Sequence, residues 1–348
     1  MNTLIDKLER NRFLSKEEFA LLIAKRTDEL SEYLFEKARK IREIYYGKNV
    51  YLRGLIEFTN YCKNDCYYCG IRKSNLKVER YRLTKEQILA CCETGYHLNY
   101  RTFVLQGGED AYFTDAVMVD IIHSIKQKYP DCALTLSIGE KSYETYLAYY
   151  HAGVDRYLLR HETANDSHYK QLHPIKLSSE KRKQCLSDLK TIGFQVGTGF
   201  MVGSPYQTPE YLADDLFFIH ELQPHMVGIG PFIPHHDTPF AEMESGTLEL
   251  TLFLIGLLRL MLPASLLPST TALGSIHSLG REKGLLAGAN VIMPNLSPID
   301  VRNKYLLYDN KICIGDEATH CRHCLERRVQ NTGYKIVAVR GDCKIVKE

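Results

Sequence analysis

The sequence predicts an α/β fold: a complete (βα)8 barrel of the TIM type, preceded by a helical extension and followed by a short metal-binding segment. Three observations predict it. Short apolar runs alternate with amphipathic stretches from residue 50 onward, eight such runs can be counted, and the connections into the helices, as at 197–209 and 228–239, are long and rich in Gly, Pro, His and Thr. With 348 residues, 45% hydrophobic and 25% charged, the chain has the composition of a globular protein. The expected organisation is a helical extension over 1–49, a barrel over 50–295 and a C-terminal segment over 296–348.

Residues 14–46 read as helix, because Leu30, Tyr33, Leu34, Ala38 and Ile41 recur on one face with charges between them. The first strand is expected at 51–58 and its helix at 85–94. Later strands are expected at 102–105, 133–137, 156–159, 195–199, 226–229, 266–269 and 291–293. Helices fall between them at 115–128, 143–151, 179–192, 209–221, 248–261 and 281–287. The most apolar stretch, 252–267, contains Arg259 and Pro263 and falls short of the ~20 residues of a membrane span. It reads as a buried helix leading into a strand.

A formal charge of +2 gives no electrostatic footprint for nucleic acid. The polar start, 1–10, lacks the apolar core of a signal peptide, so a cytoplasmic location is expected, without membrane attachment. In that reducing compartment eleven cysteines are not expected to form disulfides. Clustered ones point to metal or catalysis.

Cys62, Cys66 and Cys69 form C-x3-C-x2-C in the loop after the first strand. Three thiolates can hold three irons of a 4Fe-4S cube and leave the fourth iron open to an exogenous ligand. A zinc knuckle lacking its fourth ligand, or a chance set of buried cysteines, is the competing reading of the spacing alone. Gly107-Gly108-Glu109 ends the second strand, where glycines let the backbone approach a ligand. Around the fourth strand stands Arg156-Tyr157-Leu158-Leu159-Arg160-His161-Glu162-Thr163; Val227 to Pro234, Thr270-Thr271-Ala272 and Asn290 to Asn295 follow.

The cysteine spacing at this position resembles the radical S-adenosylmethionine (SAM) superfamily. The resemblance implies that SAM chelates the open iron of a 4Fe-4S cluster and that the reduced cluster cleaves it to an adenosyl radical. It implies Tyr68 beside the adenine, Gly107, Gly108 and Glu109 at the SAM ammonium, Glu162 at the ribose, Arg182 at the carboxylate, and Met201 and Ile229 against the adenine. The longer strings resemble the HydE family of iron-iron hydrogenase maturases, over nearly the whole chain. Biotin synthase and methylornithine synthase share the barrel and the three cysteines.

The HydE resemblance implies an organometallic substrate, an iron complex carrying carbon monoxide, cyanide and cysteine and made by the maturase HydG. The resemblance further implies that the radical attacks the cysteine sulfur, that the product passes to the maturase HydF, and that an external electron donor reduces the cluster under anaerobic conditions. Arg156 and Arg160, four apart on an extended strand, are expected to point the same way into the barrel. With Thr270 and Thr271 they would hold the anionic complex, and Tyr305 and Tyr308 would close the mouth.

Near the C-terminus Cys313-x7-Cys321-x2-Cys324 repeats the three-thiolate theme. It resembles an accessory site of some HydE members, and a second iron-sulfur cluster, 2Fe-2S or 4Fe-4S, competes there with zinc completed by His320, His323 or Cys343. His235-His236-Asp237 reads as an ordered loop, because adjacent histidines usually face different ways. A radical enzyme acting on a small organic substrate and a noncatalytic cluster scaffold are the alternative functions.

Overall fold

The computed structural model describes residues 1–313 and 318–344, with the side chains of 318–321 outside that description. Helices α1 (Asn2–Asn11), α2 (Lys16–Ala24) and α3 (Asp28–Tyr46) come first. The periodicity at 14–46 predicts one helix, but the chain breaks after Ala24, and the Thr27 side chain accepts the Leu30 N–H to start α3 afresh. The polar α1 lies within the helical extension expected over 1–49, ahead of the stretch whose periodicity reads as helix. It buries only Ile5 and Leu8, too few apolar positions to show a period.

One expected first strand is two, β1 (Asn49–Leu52) and β2 (Gly54–Thr59), with a break at the buried Arg53. Then follow α4 (Lys85–His97), β3 (Thr102–Gly107), α5 (Asp115–Lys128), β4 (Ala133–Ser137), α6 (Tyr143–His151) and β5 (Arg156–Leu158). Two helices, α7 (Asp166–Leu172) and α8 (Ser179–Ile192), precede β6 (Gln195–Thr198) and β7 (Met201–Val202). Next come α9 (Pro209–Leu222), β8 (Met226–Val227), β9 (Gly230–Pro231), α10 (Leu248–Met261), α11 (Thr271–Ile276), α12 (Gly280–Leu286) and β10 (Val291–Ile292). Helices α13 (Ile299–Arg302) and α14 (Ala318–Gln330) and strand β11 (Lys335–Val337) end the described chain.

The central sheet is parallel, in the order β2-β3-β4-β5-β6-β8. Pairing continues as single parallel bridges from Met226 to Leu266 and from Pro268 to Val291. Strand β10 pairs with β1, and Leu55 of β2 bridges to Asn295. The strand expected at 266–269 is reduced to these bridges, since Pro268 has no N–H to give a ladder. All six residues of β2 are buried, as befits a parallel strand covered on both faces.

Helix α10 is buried on almost every side. Helix α3 covers its outer surface so closely that a Cβ at Gly256 would lie 2.8 Å from Leu34 Cγ. Arg259 within α10 donates to the carbonyls of Pro263, Ser265 and Gly288 and to Asn290 Oδ1. No helix among the described residues is long and apolar enough to cross a membrane.

The start of the sheet is plugged by the C-terminal segment. Strand β11 pairs with β1, and the chain beyond it brings Asp342 within 2.6 Å of Arg156 Nη2. Arg156 also donates to Thr102 Oγ1 and the Arg340 carbonyl, while Arg340 pairs with Asp155 at 2.7 Å. Burial opposes a charge on Asp342, but Arg156, Arg340 and Gln195 outweigh it and hold the carboxyl at about 2. A depressed carboxyl stabilises the fold above the unfolded value near 4, and that stability is lost as pH falls from about 4 to about 2. Replacing Asp342 with Ala is therefore expected to lower stability in urea unfolding by about 2 kcal/mol at pH 7, because a buried guanidinium loses its carboxylate. The difference from wild type should shrink between pH 4 and pH 2.

Candidate active site

At the opposite, C-terminal end of the strands lies a cavity of about 370 Å³. Its wall includes the loop between β2 and α4, which carries the three cysteines. That loop is irregular, so its backbone must find partners outside any ladder. Arg80 supplies them, donating to the carbonyls of Asn60, Ile71, Arg72 and Asn75. Asn60 accepts the Tyr81 N–H and donates to the carbonyls of Glu79 and Lys304. The Gly70 N–H donates to Leu307 O at 2.9 Å, fixing the loop against the segment that follows α13.

Cys62, Cys66 and Cys69 all line the cavity. Burial pushes their thiols up, Cys66 to about 12, so alone they are neutral. Three partly buried thiols facing one space suit a cationic metal centre that deprotonates them on binding. Gly108 sits against this loop: a Cβ there would stand 2.1 Å from Tyr61 O and 2.7 Å from Cys62 Cβ.

The structure brings Tyr68, Gly107, Gly108, Glu109, Glu162, Arg182, Met201 and Ile229 to the same cavity. Tyr68 is aimed by a residue that the sequence does not flag. His173 Nδ1 lies 3.0 Å from the Tyr169 carbonyl, an acceptor only, so Nδ1 carries the proton and Nε2 accepts the Tyr68 hydroxyl at 3.1 Å. Burial, then nearby Arg182, pushes His173 down to about 3, keeping it neutral.

Glu109 is held by the Glu140 N–H at 3.1 Å and by Lys63 Nζ at 3.0 Å. Glu162 has a left-handed backbone, φ +66°, rare for a residue with a side chain, and its N–H donates to Gly199 O. Its carboxylate lies 3.2 Å from Arg160 Nη2. Arg182 Nε stands 3.0 Å from Glu140; burial works against its charge, but Tyr169, Glu140, Tyr68 and Glu162 hold its pKa above the ordinary value.

Arg160, Thr270, Thr271, Tyr305, Tyr308 and Cys313 also line the cavity. Arg156 does not. It points inward as its spacing from Arg160 suggests, but four residues of extended chain span roughly 13 Å, and it lies in the plug with Asp342. Two further cations line the cavity, Arg281, whose Nη2 is 3.4 Å from Thr271 Oγ1, and Lys311, paired with buried Glu57 at 2.6 Å. Their sequence surroundings carry no motif, and only the fold brings them in.

Cys324 is not in the cavity wall, and the side chain of Cys321 lies outside the described residues. His235 and His236 face the same way, with rings stacked at 4.5 Å. The Asp237 N–H donates to His235 Nδ1, which leaves the proton on Nε2, the atom facing Asp309. His236 Nδ1 lies 2.8 Å from Asp309, so the histidines fasten this loop to the segment at 305–311.

The profile of the Radical SAM superfamily matches residues 56–219. The FeFe hydrogenase maturase subunit HydE of Thermotoga maritima is 44% identical over 95% of this chain and 94% of its own length. The chain belongs to the HydE family. The 3-methylornithine synthase of Methanosarcina barkeri is 27% identical over 96% of the chain and 93% of its own length. A crystal structure of methylornithine synthase has a TM-score of 0.82 at 27% identity, covering 96% of this chain and 97% of that one. A structure of the hydrogenase maturase HydG, at 20% identity and TM-score 0.81 over 97% of this chain and 75% of its own, shares the fold.

As a HydE-family member the chain is a radical SAM enzyme, and the family implies a 4Fe-4S cluster and SAM. The residues fit both, since three thiols converge on one cavity and the backbone at Gly108 leaves no room for a side chain. Replacing Gly108 with Ala is expected to displace the Tyr61 carbonyl and with it the Cys62 side chain. Iron and sulfide content after anaerobic reconstitution should fall at least several-fold while circular dichroism is retained.

Proposed function

We propose that this chain is a maturase acting in assembly of the diiron subcluster of FeFe hydrogenase, on an iron complex bearing carbon monoxide, cyanide and cysteine. The observation that carries the reading is the 44% identity to HydE over 95% of the chain, together with a cavity that joins the thiols to unmet donors. When bound, the reduced cluster supplies the electron that cleaves SAM to an adenosyl radical.

Cys62, Cys66 and Cys69 are the cluster ligands in this proposal. Tyr68, Gly107, Gly108, Glu109, Glu162, Arg182, Met201 and Ile229 hold SAM, with the Glu162 carboxylate, positioned by its unusual backbone, accepting hydroxyl protons. Beyond them, Nε of Arg160, Oγ1 of Thr270 and Nε of Arg281 are buried and have no hydrogen-bond partner among the described residues. Buried donors need acceptors, and the carboxylate and cyanide of the complex would supply them. Tyr305, Tyr308 and Lys311 enclose that end and keep out water.

The same reading includes a closed (βα)8 barrel, supported by the bridges at Leu266, Pro268 and Leu55, with an N-terminal extension over 1–49 and a C-terminal segment over 296–348. It includes a cytoplasmic setting and exchange with HydG and HydF. A second iron-sulfur cluster at Cys313, Cys321 and Cys324 is also proposed, on the spacing of these cysteines.

The test is anaerobic turnover of the reconstituted, reduced protein with SAM, with and without the iron complex, followed by mass spectrometry. An adenosylated product that requires the complex is expected. Deoxyadenosine formation indifferent to the complex would move the substrate to a small organic molecule, as in methylornithine synthase. Replacing Cys66 with Ala should abolish SAM cleavage, and turnover retained in that variant would refute the cluster assignment. Replacing Cys321 with Ala should leave hydrogenase activation in place, measured as hydrogen evolution after maturation in vitro.

A further inference from the structure

Helix α9 buries Leu212, Ala213, Leu216 and Ile219, and among these apolar residues it also buries one carboxylate, Asp215. Burial pushes that carboxyl up, with His161 opposing. A buried acid costs stability unless its neighbours give it hydrogen bonds, and Asp215 does not line the cavity where a ligand could use it. Both of its hydrogen bonds end on one oxygen. Oδ1 accepts the Ala164 N–H and lies 3.2 Å from His161 Nε2, while Oδ2 has no partner among the described residues.

Its two partners flank the turn that presents Arg160 and Glu162 to the cavity. Glu162 has φ +66°, and a residue with a side chain keeps such a backbone only where its surroundings fix it from several sides. The ties are visible here. The Glu162 N–H donates to Gly199 O at 3.1 Å. Behind it, His161 Nδ1 lies 2.9 Å from Thr198 Oγ1 at the end of β6, and the His161 ring meets that of Phe218 on α9 at 4.9 Å. His168 Nε2 faces the Pro205 carbonyl, an acceptor only, so Nδ1 accepts the Thr163 hydroxyl at 3.0 Å. Among these ties only Asp215 reaches both flanks of Glu162, at residue 161 and at residue 164.

We infer that Asp215 is a positioning residue for SAM: by accepting from Ala164 and His161 it holds the turn in which Glu162 takes its left-handed backbone, and so fixes the Glu162 carboxylate at the ribose. The inference rests on the assignment of Glu162 to SAM and adds the residue that stands behind it. Asp215 acts through one oxygen that accepts two hydrogen bonds. Asparagine supplies such an oxygen, whereas leucine, of similar size, does not. Without it a buried N–H and a buried imidazole are left unmet, and the chain between them relaxes toward ordinary backbone angles to find other partners.

The test compares Asp215→Leu with Asp215→Asn by two readouts. The first needs no SAM: amide hydrogen exchange over residues 160–168, followed by mass spectrometry, should quicken roughly tenfold in Asp215→Leu and stay near wild type in Asp215→Asn. The second is dithionite-driven SAM cleavage by the reconstituted holoenzyme. There Asp215→Leu should raise KM for SAM roughly fivefold with kcat nearly unchanged, and Asp215→Asn should leave both near wild type. Thr198→Val, which removes only the hydroxyl facing His161, should raise KM about twofold, and it carries the test if Asp215→Leu does not fold. Leu216→Val, in the same helix, should lower the melting temperature and move neither readout. Because Asp215 acts through Glu162, the double variant Asp215→Leu, Glu162→Gln should have the KM of Glu162→Gln alone. Unchanged exchange and KM in the Asp215→Leu or Thr198→Val protein, equal effects of asparagine and leucine, a KM rise in Leu216→Val, or additive effects in the double variant would each overturn the proposal. Quickened exchange in Asp215→Leu together with an unchanged KM in Glu162→Gln would instead refute the assignment of Glu162 to SAM.

Discussion

A loop without regular structure can present three thiols to one space only if something else satisfies its backbone. Here that is a single side chain, the Arg80 guanidinium, whose donors reach four carbonyls on both sides of the cysteines. Lysine could not do the same, because its ammonium is a point charge without a planar fork. The cysteines themselves contribute little to this order. Asn60, Asp65 and Gly70 add ties to Tyr81, Ser74 and Leu307. The rest of the cavity, including the segment at 305–311, is built against a loop already held in place.

The two ends of the sheet solve opposite electrostatic problems. At its start, Arg156, Arg340, Asp155, Asp342 and Gln195 bind one another, so that both cations face carboxylates, although Nε of Arg156 and Nε and Nη2 of the nearby Arg53 have no hydrogen-bond partner among the described residues. At its far end, Arg160, Thr270 and Arg281 keep buried donors without partners. Buried polar groups that are fully paired stabilise a structure, whereas buried groups left unpaired cost stability that only a ligand returns. The same residue type, arginine, thus serves as mortar in one place and as a receptor in the other.

This difference sets what could be seen in the sequence. The alternation of elements, the three cysteines, Gly107-Gly108-Glu109 and Glu162 are local in the chain, and the structure collects them in one cavity. A period of two reports the face on which Arg156 and Arg160 lie but not their depth, so one reached the site and the other the plug. Arg281 and Lys311 arrive from α12 and from beyond α13 without any motif, and His173 acts through a hydrogen bond that only the fold makes. The break at Arg53 and the reduced strand at 266–269 were hidden because one arginine or proline inside an apolar run does not by itself show where strand pairing stops. Stacking of His235 on His236 likewise depends on backbone geometry.

Strand β1 has both its neighbours, β10 and β11, more than two hundred residues further along the chain. On the ribosome it is synthesised early and stays unpaired until nearly everything else has emerged. The six-stranded run from β2 to β8 can pair in the order of its synthesis, each strand with the one before it. The closing contacts cannot, and such long-range pairings are the slow, aggregation-exposed steps of folding. Assembly of this sheet therefore finishes late, with β11 seating beside β1 as the act that buries its waiting edge.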